Sequence, residues 1–127
     1  MTKNVICDSG IISSYLLNNK IIVNKINNEI LLINICITGL NRIELMNWLS
    51  GYSLLTKIER AKYLKFIKAI PLIHINEPIS KIAIELSDKN INSKPADTFI
   101  AATAKHNKIP IYTLNKKDFV KLGIEIL

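Results

Sequence analysis

Val5-Ile6-Cys7-Asp8-Ser9-Gly10 is the stretch on which the fold turns. Three apolar residues ended by Asp-Ser-Gly read as a short buried strand that stops at a turn. Strands of this kind belong to parallel sheets covered by helices on both faces. The same alternation continues along the chain. Residues 11–17 read as a helix, and residues 20–28 as an ambiguous one, because Ile21-Ile22-Val23 is β-branched. Residues 31–37 read as a second strand, closed by Thr38-Gly39, and helices follow over 40–54 and 57–70. Tyr63, Phe66, Ile67 and Ile70 form an apolar stripe on the second of these, opposite Lys57, Lys62, Lys65 and Lys68. Residues 72–75 read as a third strand. Pro78 opens a helix over 79–90 and Pro95 another reaching about residue 106. Residues 109–113 and 124–127 read as strands around a short helix near 117–121. The expected architecture is α/β: one domain over residues 1–127, three layers (α/β/α), with a central, mostly parallel sheet.

The chain has 17 Lys and Arg against 10 Asp and Glu, a net charge of +7. That excess favours an anionic partner such as nucleic acid. Part of it is discounted, since the Ile, Asn and Lys bias matches AT-rich coding, and a solvated lysine surface is the plain alternative. The first apolar stretch is broken by Asp8, unlike a signal peptide, and no apolar run approaches the roughly 20 residues of a membrane span. Cys7 and Cys36 lie in apolar segments without CxxC or Cys/His spacing. Buried free thiols in a reducing cytoplasm are expected.

With ten acids in the chain, each can be weighed. Glu29, Glu59, Glu85, Asp88 and Glu125 fall on polar faces or element ends, and Glu77 before Pro78 is a helix-start residue. Three others stand out. Asp8 follows the first strand directly, where open parallel sheets bind ligands, although it could simply cap the next helix. Glu44 sits one turn from Leu40 and one from Trp48, in an apolar stripe that reads as core-facing. There it needs a cation, and a lysine salt bridge would also serve. Asp97 suits the helix dipole after Pro95, yet its face continues with Ile100, Ala101 and Ala104, with Thr98 and Lys105 on the wetter side. If the three acids meet, their oxygens suit Mg²⁺ or Mn²⁺. Spacing alone does not bring them together.

Four ordered blocks resemble a PIN-domain ribonuclease, in particular the small VapC-type toxins of bacterial toxin–antitoxin modules. They are Val5-Ile6-Cys7-Asp8-Ser9-Gly10-Ile11-Ile12, Ile37-Thr38-Gly39-Leu40-Asn41-Arg42-Ile43-Glu44-Leu45, Pro95-Ala96-Asp97-Thr98-Phe99-Ile100-Ala101-Ala102-Thr103-Ala104, and Ile111-Tyr112-Thr113-Leu114-Asn115-Lys116-Lys117-Asp118-Phe119. The resemblance implies a metal-dependent endoribonuclease with Asp8, Glu44 and Asp97 as its acidic triad, Asp8 and Asp97 being the firmest ligands. It makes Ser9 and Thr113 supporting hydroxyls. Gly10 departs from the Asn or Ser common in the family. Asn115 stands where some relatives carry a fourth acid, so either Asp118 completes the site or it caps the last helix. Arg42 and Lys94 are close to the triad in sequence and can touch phosphates, with plain surface charge as the alternative. An RNA substrate, a homodimer and a cognate antitoxin are further implications of the family. The competing reading is a PIN-like RNA- or protein-binding module that does not cut. An aspartyl phosphatase of the dehalogenase type needs a second acid where Gly10 stands, and no GxGxxG follows the first strand.

Overall fold

The computed structural model describes residues 4–127. Four parallel strands, β1 (Val5–Cys7), β2 (Ile35–Thr38), β3 (Leu72–Ile73) and β4 (Ile111–Tyr112), form a sheet in the order β3-β2-β1-β4. Ile6 pairs with Cys36 on one side and with Ile111 on the other. Successive strand residues point to opposite faces. Val5, Cys7, Ile35, Ile37 and Tyr112 therefore enter one core and Ile6, Cys36 and Ile111 the other. The first core is closed by α1 (Ser9–Leu16), α2 (Lys20–Asn24), α3 (Gly39–Gly51) and α4 (Lys57–Ala69) through Ile11, Ile22, Leu45 and Ile67. The second is closed by α5 (Glu77–Lys89), α6 (Pro95–Asn107) and α7 (Lys116–Val120) through Ile79, Ile100, Ala101 and Phe119. This is the three-layer arrangement the alternating elements predicted. No helix among the described residues is long and apolar enough to cross a membrane.

The two cysteines are free and buried, and they lie in opposite cores, so they do not face one another for a disulfide. Burial pushes the Cys36 thiol up to about 11 and the Cys7 thiol higher still. Neither offers a thiolate near neutral pH.

Three segments differ from the sequence-based expectation. Residues 31–34 are not strand: a wider helical turn at Lys25–Ile30 continues α2, Leu31 takes a positive φ of 74°, and one 3-10 turn follows at Leu32–Asn34. The buried Asn34 side chain donates to the Ile30 carbonyl at 2.7 Å, satisfying an exposed helix end and holding the exit tight. Leu31, Leu32 and Ile33 are left exposed, so their apolar character is no sign of a buried strand. Residues 124–127 contribute a single bridge between Ile111 and Ile126 rather than a strand. Gly123, at φ 75°, makes the turn that precedes it. Finally, α3 ends at Gly51, short of residue 54, where Arg60 of α4 reaches back to donate to the Leu49 and Tyr52 carbonyls.

Candidate active site

The chain runs outward from β1 through β2 to β3, then returns to place β4 on the other side of β1. That reversal makes the region outside the carboxyl ends of β1 and β4 the usual ligand position of an open α/β sheet. Asp8 is the first residue after β1 and caps α1, its Oδ1 accepting from the Ser9 amide at 2.9 Å. The same Oδ1 accepts from Asn41 Nδ2 of α3 at 3.2 Å. Oδ2 accepts from Thr113 Oγ1, just past β4, at 2.9 Å. The Asn115 amide donates to Thr113 Oγ1 at 2.9 Å, which leaves the hydroxyl hydrogen for Asp8. Capping is thus only part of what Asp8 does, since α3 and the end of β4 also hold its carboxylate.

Glu44 approaches from α3. The buried face of that helix is Asn41, Leu45 and Leu49, whereas Leu40 and Trp48 are half-buried and Glu44 is exposed. The stripe through Leu40, Glu44 and Trp48 is therefore the rim of the helix and not its core face, a correction to the sequence reading. No lysine pairs with Glu44 among the described residues. Ser9 Oγ donates to its Oε1 at 3.4 Å. Although the residue is exposed overall, shelter of its carboxyl raises its pKa, the Asp8 charge adds to that, and the Ser9 hydrogen bond works against it.

Asp97 lies in the first turn of α6, half-buried, with Oδ2 buried and without a hydrogen-bond partner. Burial first, then the Asp8 and Asp118 charges, push its pKa up, while Lys94 and Lys121 pull it down. Thr98, expected on the wetter side, is buried, its hydroxyl donating to the Lys94 carbonyl at 2.9 Å within the first helical turn. Lys94 itself is exposed beside Asp97. Arg42 is half-buried with its Nε lacking a partner, and no ion pair ties it to any acid among the described residues.

Asp8, Glu44 and Asp97 thus come from three elements and feel one another's charge: Asp8 acts on both of the others, and Asp97 acts on Glu44. Among the described residues, no group of three or more His, Cys, Asp or Glu side chains lies close enough to hold a metal ion, so there is no ready-made cage. Mg²⁺ does not need one, because it keeps several waters and is commonly held by one or two carboxylates. An all-oxygen donor set and an unpartnered buried carboxylate oxygen fit a hydrated hard cation, which would also relieve the crowded negative charge.

Asn115 and Asp118 stand at the edge of this cluster. Asn115 Nδ2 donates to Asp118 Oδ2 at 2.6 Å, and Lys121 Nζ lies 4.0 Å from Asp118 Oδ1. Lys94, Asp97, Asp118 and Lys121 share a small cavity of about 80 Å³. Asn115 occupies the position before α7 without making a side-chain cap bond. With its carboxylate already engaged by Asn115 and Lys121, Asp118 is expected to tune Asp97 rather than ligate. Asp118→Asn should then weaken Mn²⁺ binding to the full chain by no more than about tenfold, whereas a loss well beyond the 10–100-fold range of outer-shell partners would make it a ligand. Gly10 is not required by backbone geometry, since a Cβ there would meet only Leu114 Cδ1 at 4.0 Å.

Two residues escaped the sequence reading. Lys121 could not be placed beside Asp97 without the fold, because 24 positions separate them. Asn41 did carry a signal: it stands three residues after Thr38, the helix-capping position, and three before Glu44 on the same side of the helix.

Comparison with known proteins bears on the family and the fold. The sequence profile of the PIN domain matches residues 5–125, and the chain belongs to the PIN domain family. Among solved structures, it is similar to a chain of DNA-bound VapBC from Salmonella typhimurium, with 21% identity, a TM-score of 0.79, and coverage of 98% of this chain and 97% of that one. It is likewise similar to a chain of FitAcB from Neisseria gonorrhoeae, at 18% identity and a TM-score of 0.78, covering 97% and 96%. A chain of a toxin–antitoxin complex from Klebsiella pneumoniae matches at 19% identity and a TM-score of 0.74, covering 91% and 90%. No curated protein matches the sequence significantly.

Proposed function

We propose that the chain, one PIN domain over residues 1–127, is a Mg²⁺- or Mn²⁺-dependent endoribonuclease that hydrolyses RNA phosphodiester bonds and acts as the toxin of a toxin–antitoxin pair. What supports this reading is that Asp8, at the end of β1, raises the pKa of both Glu44 and Asp97 by its charge, and that one Asp97 oxygen is buried and unpartnered. Asp8 and Asp97 are the residues that would hold the metal, with Glu44 close by. When bound, such an ion lowers the pKa of water and neutralises charge on a phosphoryl group. Glu44, its carboxyl pKa raised by shelter and by the Asp8 charge, is suited to orient a water through Oε1 or Oε2 and accept its proton. Ser9 and Thr113 keep the carboxylates aimed. Lys94 and Lys121 flank Asp97 and are placed to meet phosphate oxygens, with the net charge of +7 drawing RNA in. Arg42 is a further candidate for phosphate contact. An antitoxin partner is expected by analogy with the toxin–antitoxin complex in which a similar fold is found, and a homodimer and a cytoplasmic location by analogy with the family.

The test is incubation of the purified full chain with total cellular RNA in Mg²⁺, in Mn²⁺ and in EDTA, with RNA binding followed by fluorescence anisotropy. Cleavage in the metal samples and intact RNA in EDTA is the expected result. RNA that is bound yet intact in all three would replace the nuclease by a binding module.

A further inference from the structure

We infer that Asn41 is a positioning residue for the metal centre, one buried amide that ties Asp8 to the start of α3. The inference rests on the metal-dependent reading above. Asn41 is fully buried, and its Oδ1 accepts from the Thr38 amide at 3.0 Å and the Thr38 hydroxyl at 2.8 Å. Its own amide donates to Thr38 Oγ1 at 3.2 Å, completing a capping box at the start of α3. A capping box commonly uses Glu or Gln at this position. Asn serves here with a difference: once its oxygen is committed to Thr38, its NH₂ must point the other way, where Nδ2 donates to Asp8 Oδ1 at 3.2 Å. A glutamate there would turn a fourth carboxylate toward Asp8. With Thr113 on Oδ2, Asn41 fixes the plane of the Asp8 carboxylate and its remaining lone pairs. Groups that orient a ligand in this way govern metal affinity without touching the metal.

The test separates positioning from capping. Mn²⁺ binding to the full chain is followed by electron paramagnetic resonance of the free ion, well below the Tm of each variant. Asn41→Ala and Asn41→Ser should weaken the Mn²⁺ Kd by about 10-fold or more, the cost of losing an outer-shell partner. Thr38→Val removes the capping hydroxyl but leaves the Asn41 NH₂ on Asp8. It should lower Tm comparably while keeping the Kd within about twofold of the parent. Asn41→Ser is the smaller perturbation and keeps the test available if the alanine variant fails to fold. Parent-like Mn²⁺ affinity in a folded Asn41 variant overturns the positioning role and leaves a cap alone. If the parent itself binds no Mn²⁺, the metal reading fails and this inference with it.

Discussion

Asp97→Asn should leave the protein folded and reduce metal-dependent RNA cleavage by more than about 100-fold, beyond the loss produced by outer-shell changes. The amide keeps the size of the side chain and its place in the first turn of α6 but loses the charge a hard cation requires. Because Asp97 is half-buried, raised in pKa by burial and by Asp8, and left with an unpartnered oxygen, its charge is a burden to the metal-free fold. The same substitution should therefore raise the metal-free Tm by about 2–5 °C, the shift made by roughly 1 kcal/mol in a domain of this size. Activity and stability should move in opposite directions, which distinguishes a binding-site acid from a structural one. Asp8→Asn should remove activity too, but with less stabilisation, because its carboxylate oxygens accept hydrogen bonds from Ser9, Asn41 and Thr113. A lower Tm for Asp97→Asn, measured by calorimetry in EDTA, would mark Asp97 as a dipole cap.

The second large effect couples pH to metal. Glu44 and Asp97 both have raised pKa values in the fold, so the native state holds protons that the unfolded chain has released. Stability falls with pH wherever the native state binds the more protons. The advantage of the two neutral carboxyls is thus fully present below about pH 4 and is lost as pH rises through their raised values. For the wild type in EDTA, these two groups should lower Tm from about pH 4 toward neutrality, against whatever the other charges do, and the Asp97→Asn, Glu44→Gln double variant should lose that component. Metal reverses the sign, because protons and cation compete for the same oxygens. At pH 7, Mg²⁺ at 100 times its Kd adds about 2.7 kcal/mol, about 10 °C for a domain of this size. The double variant should gain almost nothing. An equal Mg²⁺-induced shift in both proteins would place the ion elsewhere.

Much of the candidate site was legible before the fold because its parts obey local rules. The Asp8 strand end and the Pro95-Ala96-Asp97 helix start are short-range patterns, and each acid stands where its pattern puts it. Glu44 was singled out for a partly mistaken reason. Its neighbours Leu40 and Trp48 suggested a core face, but Asn41 is what takes the buried position in the first turn of α3, turning Glu44 to the helix rim. An apolar scale scores asparagine as surface, and only the hydrogen bonds to Thr38 and Asp8 make its burial affordable. The exposed Leu31-Leu32-Ile33 run misled in the opposite sense, since apolar residues can be left outside when a turn consumes them. Proximity across the sheet, such as Thr113 to Asp8, depends on strand order, which no short pattern encodes.

The central claim is that Asp8, Glu44 and Asp97 converge on one cation, and anomalous diffraction from crystals of the full chain soaked in Mn²⁺ tests it most directly. The account predicts a peak in the region outside the ends of β1 and β4, roughly 2.0–2.6 Å from oxygens of Asp8 and Asp97, with Glu44 bound directly or through one water. A saturating soak that leaves this region without a peak, or places the ion away from these carboxylates, would contradict it.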